Sequence, residues 1–147
     1  MSDLAYNKLA RRDYDILDTL EAGLVLSGQE VKSVRGGQMK LQGAYVTIAR
    51  GEAWLVGAHI PRYKPAGALA GYDPGRSRKL LVHRRELVHL AGKAGEKGLT
   101  LLPLRVYTRR EKLKLEVGIG RGRKEFEKRE LIKKRDVERE IRNRLKR

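Results

Sequence analysis

Arg76, Arg78, Lys79, Arg84 and Arg85 place five permanent cations around one short apolar run, Leu80-Leu81-Val82. Guanidinium and ammonium groups at that density bind phosphate, arginine through a planar fork of donors and lysine as a point charge. The pattern recurs at Lys8, Arg11 and Arg12, at Lys32 and Arg35, and at Arg109, Arg110, Lys112 and Lys114. A solvated cationic face explains an isolated cluster of this kind. Several such clusters in one short chain repel each other unless a polyanion relieves them, which points to nucleic acid first and an anionic membrane surface second. Six Tyr, Trp54 and Phe126 are the whole aromatic complement. That is too few for a stacking platform along a single strand, and folded RNA read through shape and phosphate geometry is the better match.

Catalysis has no comparable support. The sequence contains no nucleotide-hydrolysis loop, no His-Glu-x-x-His zinc motif and no Gly-x-Ser-x-Gly elbow. Residues 118–122, with glycines at 118, 120 and 122, superficially resemble a phosphate loop. They lead into a charged segment rather than the apolar helix of a βαβ unit, so they read as a strand end and hinge. His59, His83 and His89 are the only imidazoles, and none stands at metal-ligand spacing from another. A processing enzyme with His59 or His83 as general base is an alternative that labelled RNA and a His→Ala variant would expose. The reading is a protein with no catalytic residues, no metal and no cofactor.

The 147 residues carry 34 Lys and Arg against 18 Asp and Glu, a formal charge of +16. That length suits one domain with a real core. Cysteine is absent, which excludes disulfides, thiolate metal sites and a Cys nucleophile. No run approaches 18 apolar residues, and the first ten residues are too polar for a signal segment, so the expectation is a cytoplasmic protein.

The elements that must hold these cations are mostly strands. Residues 14–20 and 22–26 read as strand on either side of Glu21. Residues 43–49, 53–57 and 59–63 follow, with Arg50-Gly51-Glu52 as a hairpin turn. Residues 100–107 and 112–119 form a final long pair. Helices are expected at 28–35, with Val31 and Val34 on one side, and at 84–94, with Leu87, Leu90 and Ala91 on one face. Asp13 and Asp15 alternate along a strand and mark its wet face. Residues 65–75 are a long loop. Strands with short connections and few helices imply a mainly β fold, a small closed or partly open antiparallel barrel.

Residues 121–147 follow a different logic. Their 13 Lys and Arg against 6 Asp and Glu give +7, the preceding 120 residues carrying the other +9. Glu125–Arg129, Glu130–Lys134, Glu138–Arg142 and Glu140–Arg144 are acid-first pairs at helical spacing, each worth about 0.2–0.5 kcal/mol. Phe126, Val137, Ile141 and Leu145 form only a sparse apolar stripe. The chain therefore divides into a body, 1–120, and a basic tail, 121–147, disordered or marginally helical until a partner orders it.

Read end to end, the sequence resembles the SmpB family, the SsrA-binding proteins of bacterial trans-translation. The matching runs are Asn7-Lys8-Leu9-Ala10-Arg11-Arg12-Asp13-Tyr14, Glu21-Ala22-Gly23, Gly28-Gln29-Glu30-Val31-Lys32-Ser33-Val34-Arg35, Asp73-Pro74-Gly75-Arg76-Ser77-Arg78-Lys79-Leu80-Leu81-Val82-His83, Lys97-Gly98-Leu99-Thr100, Pro103-Leu104 with Tyr107, Gly122-Arg123-Lys124 and Glu127-Lys128-Arg129. Their order and spacing together are specific where each run alone is weak. Leu9 replaces a usual basic residue, Arg12 a usual His, Arg123 a usual Lys and Glu127 a common Asp. Of these, only Leu9 removes a cation that could meet phosphate.

The resemblance implies an oligonucleotide-binding-type antiparallel β-barrel with flanking helices and a basic C-terminal tail, no enzymatic activity, and a monomer. It implies binding to the tRNA-like domain of transfer-messenger RNA and, with elongation factor and GTP, delivery to ribosomes stalled on broken messages. There the tail occupies the empty message channel as a helix. Glu21, Leu81 and Lys114 match the family's RNA-binding positions. Each also has a physical role: a carboxylate that accepts from base N–H groups, an apolar contact for a base or sugar, and a phosphate partner. Lys8, Arg11, Lys32, Arg76, Arg78 and Lys79 extend the RNA-binding set. The residues alone leave Leu81 open between core and exposed contact. Gly122, Arg123, Lys124, Phe126, Glu127, Lys128 and Arg129 are the expected ribosome-binding part of the tail, with Phe126 either stacking on a ribosomal base or packing back on the body. The rival reading is a structural or assembly protein for ribosomal RNA.

Overall fold

The computed structural model describes residues 3–64, 71–123 and 125–145. The chain order is β1 (Asp3–Tyr6), α1 (Ala10–Asp13), β2 (Tyr14–Leu24), α2 (Gly28–Arg35), β3 (Tyr45–Ala49), β4 (Glu52–Val56), β5 (Arg78–Leu81), α3 (Arg84–Ala94), β6 (Leu99–Arg109), β7 (Lys112–Gly122) and α4 (Glu125–Leu145). The strands form one seven-stranded sheet, β1-β6-β7-β2-β5-β4-β3, antiparallel at every pairing. The fold class matches the expectation.

The sheet is not a closed barrel: β1 and β3 are its two ends. It curls so that β3 comes against β6, and α3 touches both strands. Leu90 of α3 is fully buried, so the helix fills the seam where strand pairing would otherwise close the barrel. Glu86 anchors its start by accepting the His83 N–H at 3.0 Å. The main core lies inside the curl and includes Ala22, Leu55, Leu80, Val106, Leu115 and Val117 from the sheet and Val34 from α2. A second, smaller cluster of Ala10, Leu102 and Leu104 places α1 on the other side of the long strands.

Three sequence expectations are corrected. The two strands expected around Glu21 are one continuous β2. Residues 59–63 make a single bridge, Lys40 with His59, rather than a strand, because Pro61 has no N–H to extend the ladder. Asp13 ends α1 instead of lying on a strand. Helices α2 and α3 have the expected bounds, and the turn at Arg50-Gly51 has both residues at positive φ, as a tight hairpin requires.

Glycines 118 and 120 prove to be packing residues of β7. A Cβ on Gly118 would stand 2.9 Å from Leu104 Cδ1, and one on Gly120 would stand 3.0 Å from both Leu102 and Tyr14. Their absence of side chain lets the second cluster settle on the sheet. Helix α4 is exposed at every described side chain. Of its four expected charge pairs Glu140–Arg144 closes, at 3.2 Å. Glu138 and Arg142 form no ion pair with each other, and the side chains of Glu125 and Glu130 lie outside the described residues.

Candidate nucleic-acid interface

Strand register assembles the centre of the site. Gly23 of β2 pairs with Leu81 of β5 on one side and Lys114 of β7 on the other, and Lys114 pairs in turn with Tyr107 of β6. Directly paired residues share a face, so Leu81, Gly23, Lys114 and Tyr107 form a row across four strands. Glu21, two residues before Gly23, stands on the same face. Gly23 has to be small here, since a Cβ would lie 3.2 Å from Leu81 Cβ. Leu81 is 56% exposed, which resolves the choice left open by sequence: it is a surface contact, not core.

The row floors a groove of about 550 Å³ lined by Glu21, Leu81 and Lys114, with Arg35, Lys112 and His83 among the residues around it. Arg35 donates from Nη2 to the Glu111 carbonyl at 3.0 Å, tying α2 to the β6–β7 turn, where Arg110 and Glu111 both have positive φ. One wall of the groove is therefore held by a cation from the helix opposite.

Glu21 is the acid beside this row, with Glu86 and Glu111 at the edges of the same groove. It accepts from the Tyr107 hydroxyl and from Arg109 Nη1 at 3.2 Å. The Tyr107 hydrogen bond first, with help from Arg109 and Lys114 against partial desolvation, holds its carboxyl below the usual range. Burial and then the Glu21 carboxylate push the Tyr107 hydroxyl up to about 12. The Tyr107 ring is covered by the Arg105 guanidinium, 4.2 Å from its centroid, and Arg105 is itself fixed by Asp3 at 3.0 Å and Glu116 at 3.3 Å. The groove thus holds one fixed, ionised acceptor beside several cations, a combination that accepts from base N–H groups while neutralising phosphates.

The remaining expected RNA-binding residues divide. Arg78 is a correction: its side chain is 0% exposed, so it is not a surface cation. Its Nε and Nη2 donate to Glu30 Oε2 at 3.0 and 2.7 Å, and Nη1 and Nη2 donate to the Ala58 and Pro74 carbonyls, each at 2.9 Å. Arg76, 40% exposed, spends Nη2 on the other Glu30 oxygen. Burial opposes ionisation of Glu30, but Arg76, the Ser27 N–H and Arg78 outweigh it and lower the carboxyl to about 2. Lys79 pairs with Glu52 at 3.2 Å. Lys32 projects from α2 outside the groove lining. Exposed Lys8 and Arg11 lie at α1, also outside that lining.

In the tail, Gly122 is the last residue of β7, paired with Tyr14. The Arg123 N–H donates to the Asp13 carbonyl at 2.8 Å, and its guanidinium stands 3.9 Å from Asp15, which fixes where α4 leaves the body. Arg129 is exposed. Lys124 and the side chains of Phe126, Glu127 and Lys128 lie outside the described residues.

Sequence reasoning missed Tyr107 as the partner of Glu21 and treated Arg109 only as one cation in a cluster. The available signal was their two-residue spacing on a long strand, which puts both on one face. It did not say that β6 would lie two strands from β2.

Comparison with known proteins adds an independent result. A family model described as SmpB protein matches residues 4–147. The SsrA-binding protein of Roseiflexus sp. (strain RS-1) is 48% identical over 143 residues, spanning 97% of this chain and 90% of that protein. That of Sulfurihydrogenibium sp. (strain YO3AOP1) is 51% identical over 138 residues, spanning 94% and 90%. A solved structure described as "tmRNA-SmpB: a journey to the center of the bacterial ribosome" is similar with a TM-score of 0.68 and 45% identity, covering 82% of this chain and 84% of that one.

Proposed function

The chain belongs to the SmpB family, and from that premise we propose that it binds the tRNA-like domain of transfer-messenger RNA and delivers it to stalled ribosomes for trans-translation. The observation that carries the RNA-binding half is the row Leu81–Gly23–Lys114 with Glu21 beside it. Lys114, Lys112, Arg109 and Arg35 meet the sugar–phosphate backbone, and their number sets most of the affinity. Glu21 supplies selection: a carboxylate repels phosphate and so rewards only a backbone that brings a base N–H to it. Leu81 packs on an exposed base or sugar. The elongation factor with GTP joins through the RNA.

The tail supplies the second half. Its basic helix meets the body at α1 but is exposed at every described side chain, as a segment meant for another surface would be. In the ribosome Gly122 acts as the joint, Arg123, Lys124, Lys128 and Arg129 meet ribosomal phosphates, Phe126 stacks, and the helix stands in the empty message channel in place of codon–anticodon pairing.

Binding of an in-vitro transcript of the tRNA-like domain tests the first half. Lys114→Glu should weaken it at least tenfold while the fold is retained. A pair of folded variants, Glu21→Arg and Lys114→Glu, that both bind at wild-type strength would remove the groove as the site.

A further inference from the structure

On the opposite flank of α2 from the groove lies a second pocket, of about 320 Å³, lined by Lys32, Gly36, Gln38, Arg62, Tyr63 and Lys64 among others. It shares no lining residue with the groove that holds Glu21. The two are divided by the helix itself: Val31 and Arg35 face the groove, whereas Lys32, Ser33 and Gly36 face this pocket.

Its lining differs from that of the groove, which includes Glu21, Glu86 and Glu111. On the surface elsewhere Arg76, Lys79, Arg105 and Arg109 are each paired with a carboxylate. Among the described residues none pairs with Lys32, Arg62 or Lys64, and the pocket lining contains no Asp or Glu. Arg62 and Lys64 are exposed and flank half-buried Tyr63. The Lys32 ammonium stands 5.7 Å from the Tyr63 ring centroid. Ser33 donates its hydroxyl to the Pro61 carbonyl at 2.8 Å, which pins the segment to α2, so the ring and its cations are presented on a braced backbone. Three uncompensated cations around one aromatic ring raise the local potential and offer a stacking face at the same place.

We propose that this pocket is a second RNA contact, stacking one unpaired base on Tyr63 with its flanking phosphates on Lys32, Arg62 and Lys64. It extends the function proposed above and rests on that reading. A protein that carries one RNA into a particle built on another needs more than one RNA-binding face, and a single ring serves one flipped-out base rather than a strand. Both the tRNA-like RNA and ribosomal RNA offer such a base.

The test uses the full chain in two arms, affinity for a transcript of the tRNA-like domain and affinity for purified 70S ribosomes. The variants are Tyr63→Ala, Tyr63→Phe and the exposed double variant Arg62→Glu with Lys64→Glu, each checked for a wild-type unfolding transition. Tyr63→Ala should weaken one arm by about five- to a hundredfold, with Tyr63→Phe near wild type. The double variant should flatten the salt dependence of that arm, its log–log slope falling by roughly 0.7–0.9 for each phosphate left without a cation. Weakening in the transcript arm assigns the pocket to the tRNA-like RNA, and weakening in the ribosome arm assigns it to ribosomal RNA. Wild-type binding by the double variant in both arms overturns the proposal, as does a Tyr63→Phe defect equal to that of Tyr63→Ala. If the alanine variant does not fold, the double variant alone decides. Lys114→Glu runs alongside: should it too leave the transcript arm unchanged, it is the groove reading that fails.

Discussion

Tyr107 on β6 donates its hydroxyl to Glu21 on β2, across the intervening strand β7. The bond fixes the central acid of the groove, which Glu86 and Glu111 also line, at a set height above the sheet, and the cation stacked on the ring leaves Tyr107 little freedom to move away. Glu21 is ionised at neutral pH with or without this bond. Tyr107→Phe should therefore act through position and not through charge. Affinity for the tRNA-like RNA should fall about two- to tenfold, the worth of one hydrogen bond, while the Glu21 carboxyl pKa moves up towards its usual value. Binding measured beside an NMR titration of Glu21 checks both. An unchanged Glu21 titration would show that the bond does not form in solution.

A second expectation concerns Glu30 and acid. Its carboxyl is held at about 2 against an ordinary 4.5. A depressed folded-state pKa gives stability that is complete above about 4.5 and is lost as pH falls from there through about 2. The displacement amounts to on the order of 3 kcal/mol. Glu30→Gln leaves Arg78 buried without its counter-ion and should cost about 3–5 kcal/mol at neutral pH. Urea melts followed through Trp54 should show the two proteins converging in stability between pH 4.5 and 2. Parallel curves over that range would assign the acid sensitivity to other groups.

Gly118→Ala tests the packing argument. The added methyl group would lie 2.9 Å from Cδ1 and 3.1 Å from both Cδ2 and Cγ of Leu104, a side chain only 3% exposed. Overpacking of this kind costs about 1–3 kcal/mol. Leu104→Val in the same chain should recover part of it, and a double-mutant cycle by denaturant melts gives the coupling. Additive losses would mean that the two residues do not meet.

What the sequence disclosed depended on whether chemistry and geometry pointed the same way. Strands β6 and β7 and helices α2 and α3 were legible because their apolar residues recur at the strand or helix period and turn signals bound them. Strand β1 and helix α1, four residues each, are too short for any period to show. In β5 the residue types mislead. Arg78, Lys79, Leu80 and Leu81 read as two RNA-facing cations followed by an apolar run in which Leu81 stays open between core and contact, whereas the strand alternates, with Arg78 and Leu80 inward and Leu81 out. An inward arginine is stable only because Glu30 meets it, and that partner lies 48 residues away in the chain, where no local pattern in β5 reveals it. The open seam of the sheet had no local signature at all, since it follows from where α3 lands.

The last expectation separates RNA binding from ribosome rescue. A chain ending at Arg123 keeps β7 intact and keeps the Arg123 N–H on Asp13, so the sheet and the groove lose nothing. The cationic clusters from Lys8 to Lys114 also remain. Affinity for the tRNA-like RNA should fall less than about fivefold, the share of a distant basic segment in a salt-dependent interaction. Peptide tagging on stalled ribosomes should be abolished. Ile132, Val137 and Ile141 are 41%, 48% and 51% exposed on α4, so no described apolar side chain holds the helix by burial. Fixing some 20 residues costs on the order of 1–2 kcal/mol each in backbone entropy, against about 0.2–0.5 kcal/mol for a charge pair such as Glu140–Arg144. Free in solution the helix should consequently melt in part, and circular dichroism of the full chain should exceed that of the truncated one by less than a 21-residue helix demands. On the ribosome, phosphate and base contacts supply the difference. Tagging by the truncated protein would overturn the tail mechanism, and loss of RNA binding with the tail would make it part of the RNA clamp instead.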